Sequence, residues 1–409
     1  MNKNIELLSP AGNREKMESA VRYGADAVYF AGNMFGMRAA ADNFDTEGIF
    51  DAVKYCHEHN VKAYLTVNTM PRESDYPELK RFLSSLKGSD LDALIVADVG
   101  VIALAKELLP EIPLHLSTQS SVLSSAACRA YSEMGICRIV LARELSLAEI
   151  IEIKRNIPDS LELEAFIHGS MCVSYSGRCL LSEHFTGRDA NNGKCTQPCR
   201  WNYHLYNITE EKRPDMPLPI IQSNEGTFVM SSKDLCMIEH IPELLNSGIT
   251  SFKIEGRMKS AYYTAVTANA YRMAFDRYLQ NPVAYENDPL LLRELESVSH
   301  REYSTGYFFT NPMDRAQICT KDGYLREKAY IAVALGYDAE SKTATFIQRN
   351  KVSVNDTVEL ITPGKVGRAF TLTDMTDEKG TPIKSAPHPN MIFCVKVPFE
   401  VKEGDILRM

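Results

Sequence analysis

Several familiar signatures are missing from this 409-residue chain. No G-x-G-x-x-G follows the first strand-like run, so an open dinucleotide-binding sheet loses its main support. No H-E-x-x-H occurs. The nearest sequence, His57-Glu58-His59, puts its histidines two apart, on different helical faces. There is no G-x-S-x-G elbow and no radical-initiating C-x3-C-x2-C. The run Met1-Asn2-Lys3-Asn4-Ile5-Glu6 leads into a strand-like segment with no apolar leader. The longest apolar stretch, Ala93 to Leu109, carries Asp98, Lys106 and Glu107 and reads as strand, turn and helix, not as a membrane span. Positive charge is not in excess either. A formal net charge of −8 disfavours indiscriminate phosphate binding, although a local basic groove stays compatible with it. These absences lead us to expect a cytoplasmic protein with no membrane partner, where disulfides are disfavoured.

What is present is ordinary in bulk: 44% hydrophobic and 24% charged residues, in a chain long enough for a large domain and a smaller one. Up to about residue 260 one pattern repeats, a short apolar strand followed by an amphipathic helix. Strands are expected at Ile5–Leu8, Ala27–Phe30, Lys62–Val67, Ala93–Val96, Pro113–Ser117, Arg138–Leu141, Leu163–Ile167 and Ser251–Ile254. Helical patterns lie between them, such as Arg14–Tyr23 and Ile49–His59, with Gly24 and Gly135 where a helix should stop. Eight alternations predict an α/β fold, a TIM-like (β/α)8 barrel over 1–285, with a doubly wound sheet as the alternative. A long insertion, 168–235, interrupts it after strand seven, where βα loops usually take about 2–6 residues. Within it "NYHLYNI" is expected to pair with "GTFVMSS" as a hairpin. Residues 286–325 read as a linker, and 326–409 as a small all-β, barrel-like domain.

The insertion concentrates thiols. Cys172, Cys179, Cys195 and Cys199 are spaced C-x6-C-x15-C-x3-C, and Cys236 follows in "SSKDLC". Cysteines that pack as small apolar side chains suit Cys56, Cys128 and Cys137, but not this Ser-, Gly-, Arg- and Asn-rich stretch. Structural zinc prefers pairs two to four apart, and only Cys195–Cys199 fits. An iron–sulfur cluster tolerates irregular spacing, because its corners are well separated. Glycines 169, 177, 187 and 193 would let the backbone approach the sulfides. Cluster and zinc both remain open here. So does the fourth ligand beside Cys172, Cys179 and Cys195, for which Cys199 and Cys236 compete.

Five segments carry a resemblance: "ELLSPAGN", "GADAVYF", "EAFIHGSMCVSYSGRCLLS", "SSKDLC" and "KIEGRMKS". They resemble the collagenase-like peptidases (peptidase family U-32). With one barrel and one β-rich tail, the chain is most similar to the branch of tRNA uridine hydroxylation proteins. The resemblance implies proteolysis for some members, with catalytic residues unidentified. For others it implies oxygen-independent hydroxylation of the tRNA wobble uridine to 5-hydroxyuridine, of a ribosomal base, or of a quinone precursor. Those members carry a [4Fe–4S] cluster on cysteines of the central segment, with prephenate as the hydroxyl source. In the quinone branch the fourth ligand can come from a Cys matching Cys236, so the resemblance favours Cys172, Cys179, Cys195 and Cys236, with Cys199 close by. The partners implied are tRNA and prephenate or a similar dicarboxylate, and a paralogous protein is a further candidate.

Residues at strand ends supply the other candidates. Arg143, Arg257 and Lys259 follow strands six and eight, on the rim where barrels place active sites, and guanidinium groups suit a dicarboxylate. The plain alternative pairs Arg257 with Glu255 or Glu164. Those two glutamates read either as a general acid/base pair or as counter-ions. His168, four residues before Cys172, suggests a Cys–His dyad for a peptidase, or a residue that ends strand seven and orients a ligand. Asn68, Gln119 and the Ser9–Gly12 turn are candidate substrate contacts, and Tyr175, Phe185 and Trp201 are candidates for stacking a base. A non-catalytic RNA-binding scaffold is the third class.

Overall fold

Short runs of buried residues separated by capped helices build the ring that positions everything else. The computed structural model describes residues 5–38, 42–172, 174–201, 221–223, 226–228, 232–309 and 324–409. The eight barrel strands are Glu6–Pro10, Ala27–Ala31, Lys62–Val67, Ala93–Val96, Leu114–Leu116, Ile136–Val140, Glu162–Ser170 and Ser251–Ile254. Each is parallel to its neighbours, and the eighth pairs with both the first and the seventh, which closes the ring. The doubly wound alternative is thereby excluded.

Local chemistry sets the helix starts. Asn13, Asp45, Ser124, Ser146 and Ser260 each accept a hydrogen bond from a backbone N–H in the first turn of the helix they precede. The helix expected from Ile49 begins a turn earlier, at Thr46, because Asp45 caps it. Helices Arg14–Arg22 and Ser125–Glu133 end just before the left-handed Gly24 and Gly135, as expected. No described helix is long and apolar enough to cross a membrane.

Strand seven runs three residues past the expected Ile167. A short strand, Asp234–Cys236, pairs with it antiparallel, Asp234 opposite Ser170 and Cys236 opposite His168. The buried Asp234 carboxylate fixes this strand by accepting from Arg301 Nε at 2.9 Å and Nη2 at 2.6 Å. The first half of the expected hairpin, 202–208, lies outside the described residues. Gly226–Phe228 pairs instead with Ile221–Ser223. Part of the stretch read as linker is helical: Asp288 caps Pro289–Glu296. Pro at the first turn begins a helix as readily as it ends one.

The C-terminal domain is a seven-stranded antiparallel sheet centred on Tyr330–Asp338 and Thr343–Gln348, with its own core around Phe346 and Phe393. It packs against helices Arg14–Arg22 and Ala261–Gln280. Tyr330 stacks on Tyr262 at 5.7 Å, Tyr23 donates to the Ile361 carbonyl at 3.1 Å, and Arg408 reaches Glu294 at 2.6 Å.

Candidate active site

The C-terminal ends of strands three, five, six and eight, covered by the insertion, enclose a cavity of about 130 Å³. Cys172, Cys179, Cys195 and Cys199 all line it, together with Asn68, Gln119, Arg143, Glu255 and Arg257. These nine expected site residues therefore converge, and Tyr175 is a tenth. Cys236, Lys259, His168 and Glu164 are not among the lining residues.

Those four have other surroundings. Cys236 is buried beneath strand seven, with the Tyr271 hydroxyl 4.0 Å from its sulfur, and burial pushes its thiol up to about 12. His168 is enclosed by the rings of Tyr263, Tyr271 and Tyr303, and burial lowers it to about 3, so it stays neutral. Among the described residues its Nε2 has no partner. Lys259 donates to the Ser299 carbonyl at 2.8 Å and lies over Tyr263 and Tyr324; burial lowers it to about 8. Glu164 is fully buried inside the barrel, where it accepts from Lys253 at 2.8 Å and Ser251 at 3.1 Å. Its cationic partners are Lys253 and Arg138, not the rim arginines it was expected to balance.

The thiols sit in a positive field. Burial alone would raise the Cys172 thiol, but Arg143, Arg38 and Arg200 outweigh it and hold the group below its ordinary value. Cys199 moves the other way. Burial raises it, Arg200 opposes, and the neighbouring Cys172, Cys195 and Cys179 push the same way as burial. Gly177 brings this segment in. Its φ of +75° is left-handed, and a Cβ there would lie 2.3 Å from the Gln119 carbonyl oxygen. The conformational freedom expected to admit sulfides serves, at this position, the packing of chain on chain.

Below the thiols lies a set of charges. Arg38 bonds Glu255 at 3.3 Å, and Tyr29 donates to the Ile254 carbonyl at 2.9 Å. Burial opposes ionisation of Glu255, yet Arg38, Arg143 and Arg257 together keep its carboxyl below the usual range. Arg257, only 3% exposed, donates from Nη1 to Thr66 at 3.0 Å. Its Nη2 has no partner among the described residues, and burial lowers the guanidinium to about 10. Arg143 binds the Ser170 carbonyl at 2.9 Å and Ser176 at 3.2 Å; its Nε is likewise unpaired among the described residues. Asn68 accepts from Met37 N at 3.1 Å and donates to Ser117 at 3.1 Å. Gly12, in the turn expected to touch substrate, instead passes so close to the Arg257 carbonyl that a Cβ would meet it at 2.1 Å.

Sequence reasoning missed Arg38 and Lys253. Lys253 carried a signal, a lone cation in the apolar strand Ser251–Ile254. Arg38 carried none, because it sits at φ +71° in an irregular loop after strand two.

The donor set is all thiol: four cysteines line one cavity, a set that either structural zinc or an iron–sulfur cluster can use. Among the described residues no three His, Cys, Asp or Glu side chains are already drawn together as a metal site.

Comparison with known proteins adds family membership. Residues 12–318 match the model for Peptidase family U32, and 326–408 match the Peptidase family U32 C-terminal domain. The chain is 36% identical to tRNA hydroxylation protein P1 of Bacillus subtilis, over 99% of this chain and 95% of that one. It is 34% identical to tRNA hydroxylation protein P of Escherichia coli, over 99% and 96%. It is also 30% identical to a collagenase of Porphyromonas gingivalis, over 89% and 88%. The cysteine-lined barrel and its β-rich tail thus belong to peptidase family U32.

Proposed function

We propose that this chain hydroxylates RNA, at the wobble uridine of tRNA, using prephenate or a similar dicarboxylate as hydroxyl source. A [4Fe–4S] cluster would be held by Cys172, Cys179, Cys195 and Cys199. One observation carries the reading: four thiols and the guanidinium groups of Arg38, Arg143 and Arg257 meet at one cavity on the barrel's C-terminal rim. The two relatives named as tRNA hydroxylation proteins, matched over nearly their full length, support the substrate class. In this reading Cys199 replaces Cys236 as fourth ligand, because Cys236 lies outside the cavity lining.

When bound, such a cluster supplies one-electron chemistry. The chain's own residues bind and orient. The unpaired N–H groups of Arg257 and Arg143 receive a carboxylate, Phe166 and Tyr29 wall the cavity with flat faces, and the Gln119 carboxamide is available to a base edge. Glu255, kept ionised by three arginines, is the one carboxylate placed to accept a proton in the cavity. The Cys–His dyad of a peptidase finds less support: among the described residues no histidine lines the cavity, and His168 is enclosed by tyrosines.

The test is iron and labile sulfide in protein purified without oxygen, followed by mass spectrometry of hydroxylated nucleosides in tRNA incubated with and without prephenate. Cys172→Ala and Cys199→Ala should lose iron and activity, and Cys236→Ala should keep its iron. Wild-type protein free of iron and sulfide, or a product yield indifferent to prephenate, sinks the proposal.

A further inference from the structure

The outer rim of the cavity has a composition that the chemistry below it does not require. Trp201, the chain's single tryptophan, is 38% exposed, and Phe185 is 50% exposed with its ring centroid 6.3 Å away. The indole Nε1 donates to the Thr196 carbonyl at 3.1 Å, and Thr196 is itself tied to Ser182 by two hydrogen bonds of 3.0 Å. One edge of the ring is therefore fixed while the ring stays open to solvent. Tyr175 is 44% exposed and lines the cavity itself. Arg178, Arg188 and Lys194 alternate with these aromatics along the chain and are exposed, and among the described residues none has a carboxylate partner. Arg200, by contrast, is committed to Tyr324 and the Met171 carbonyl. Residues 168–201 hold four Arg or Lys against Glu183 and Asp189, a local excess of cations in a chain of net charge −8.

We propose that this rim docks single-stranded RNA, with bases stacked on Tyr175, Phe185 and Trp201 and phosphates held by Arg178, Arg188 and Lys194. The proposal rests on the RNA hydroxylation reading and extends it by naming the strand state and the residues that recognise it. Alternating rings and unpaired cations match a flexible polyanion whose bases are free to stack. A duplex hides its base faces, and a protein partner would meet three desolvated charges without counter-ions. An extruded base leaves its neighbours unstacked at the mouth, and the Trp201 ring, held at one edge, receives one of them at little entropic cost.

The experiment uses oxygen-protected, full-length protein and a labelled single-stranded oligouridylate, with binding read by fluorescence anisotropy at two salt concentrations. Trp201→Ala and Phe185→Ala should each weaken binding about tenfold. Arg188→Glu and Lys194→Glu should weaken it and flatten the salt slope by about 0.7 for each phosphate no longer neutralised. Iron content should not change in any of the four. Variants that bind like wild type, a duplex that binds as well as the single strand, or a dimer that Trp201→Ala dissolves would each overturn the proposal. Failure of the two readings is separable. Wild-type kcat/KM for tRNA in Trp201→Ala and Arg188→Glu sinks the rim and leaves the hydroxylase standing. Oligouridylate binding that depends on Trp201, in a protein that never hydroxylates tRNA, keeps the rim and sinks the hydroxylase.

Discussion

The barrel holds two sets of charges, one above the other, and they are built to opposite rules. In the lower set Arg138 bonds Glu6, Glu162 at 2.7 Å, and more distantly Glu164 at 3.5 Å; Lys253 bonds Glu164, and Ser251 bridges Glu6 and Glu164. Tyr64 completes the Glu6 carboxylate at 2.7 Å. Burial opposes the charge on both Arg138 and Glu6, but mutual pairing wins, so Arg138 is raised and Glu6 lowered. In the upper set Arg38 and Glu255 pair, while Arg257 and Arg143 each keep an N–H without a partner among the described residues. A closed network stabilises the ring. The open one lies nearer solvent, with Arg38 and Glu255 32% and 17% exposed, and its unpartnered N–H groups are those that the proposed dicarboxylate would take up.

The largest expected effect separates the two. Arg138→Met leaves Glu6 and Glu164 short of a cation inside the barrel and should cost about 3–5 kcal/mol in urea unfolding. Arg257→Met removes a buried guanidinium that is half unpaired. It should change stability by no more than about 1 kcal/mol, with a gain as acceptable as a loss, while hydroxylation falls about a hundredfold or more. Equal destabilisation by the two substitutions would erase the distinction between the layers.

A smaller effect comes from His168, which resolves burial by staying neutral. Its folded value, about 3, lies below the ordinary 6.5, so the unfolded chain binds the proton first. Stability from this site is whole above pH 6.5 and is lost as pH falls from 6.5 towards 3, amounting to about 2 kcal/mol by pH 5. His168→Phe should flatten that slope in unfolding curves taken between pH 7 and 5. An unchanged slope would mean that His168 has access to a charge partner after all.

Much of this was legible in the chain. The eight strands could be placed because alternation of apolar runs with capped helices is local, and the ring follows from chirality and count. The cysteine stretch and the strand-end residues Asn68, Gln119, Arg143, Glu255 and Arg257 were legible because a barrel's rim is defined by where strands stop. Depth was not. Glu164 and Glu255 belong to adjacent strands and look equivalent in sequence, yet one belongs to the closed layer and the other to the open one. The turn of the chain after the insertion was not legible either. Antiparallel pairing of Asp234–Cys236 with strand seven buries Cys236 beside Tyr271, a long-range register that spacing does not encode. Arg38 depended on a left-handed loop residue that no pattern announces.

The smallest predicted effect probes the open layer from within. Glu255 is the one carboxylate among its cations and, by occupying Arg38, competes with any anion brought to Arg143 and Arg257. Glu255→Gln keeps the shape and the approach to Tyr29 but removes the negative charge. Near the mouth, at an intermediate effective dielectric, one unit charge a few ångströms away is worth about 1–2 kcal/mol. Affinity for a dicarboxylate such as prephenate, measured by calorimetry in the absence of RNA, should therefore rise about tenfold. If Glu255 also accepts the proton released at the base, turnover should fall in the same variant even though binding improves. A split of that kind, tighter ground-state binding with a slower reaction, is not available to the lower layer, where every charge already has its partner. Dicarboxylate binding that stays level or weakens in Glu255→Gln would show that the arginines serve the carboxylate they already have, and the upper layer would then be as closed as the lower.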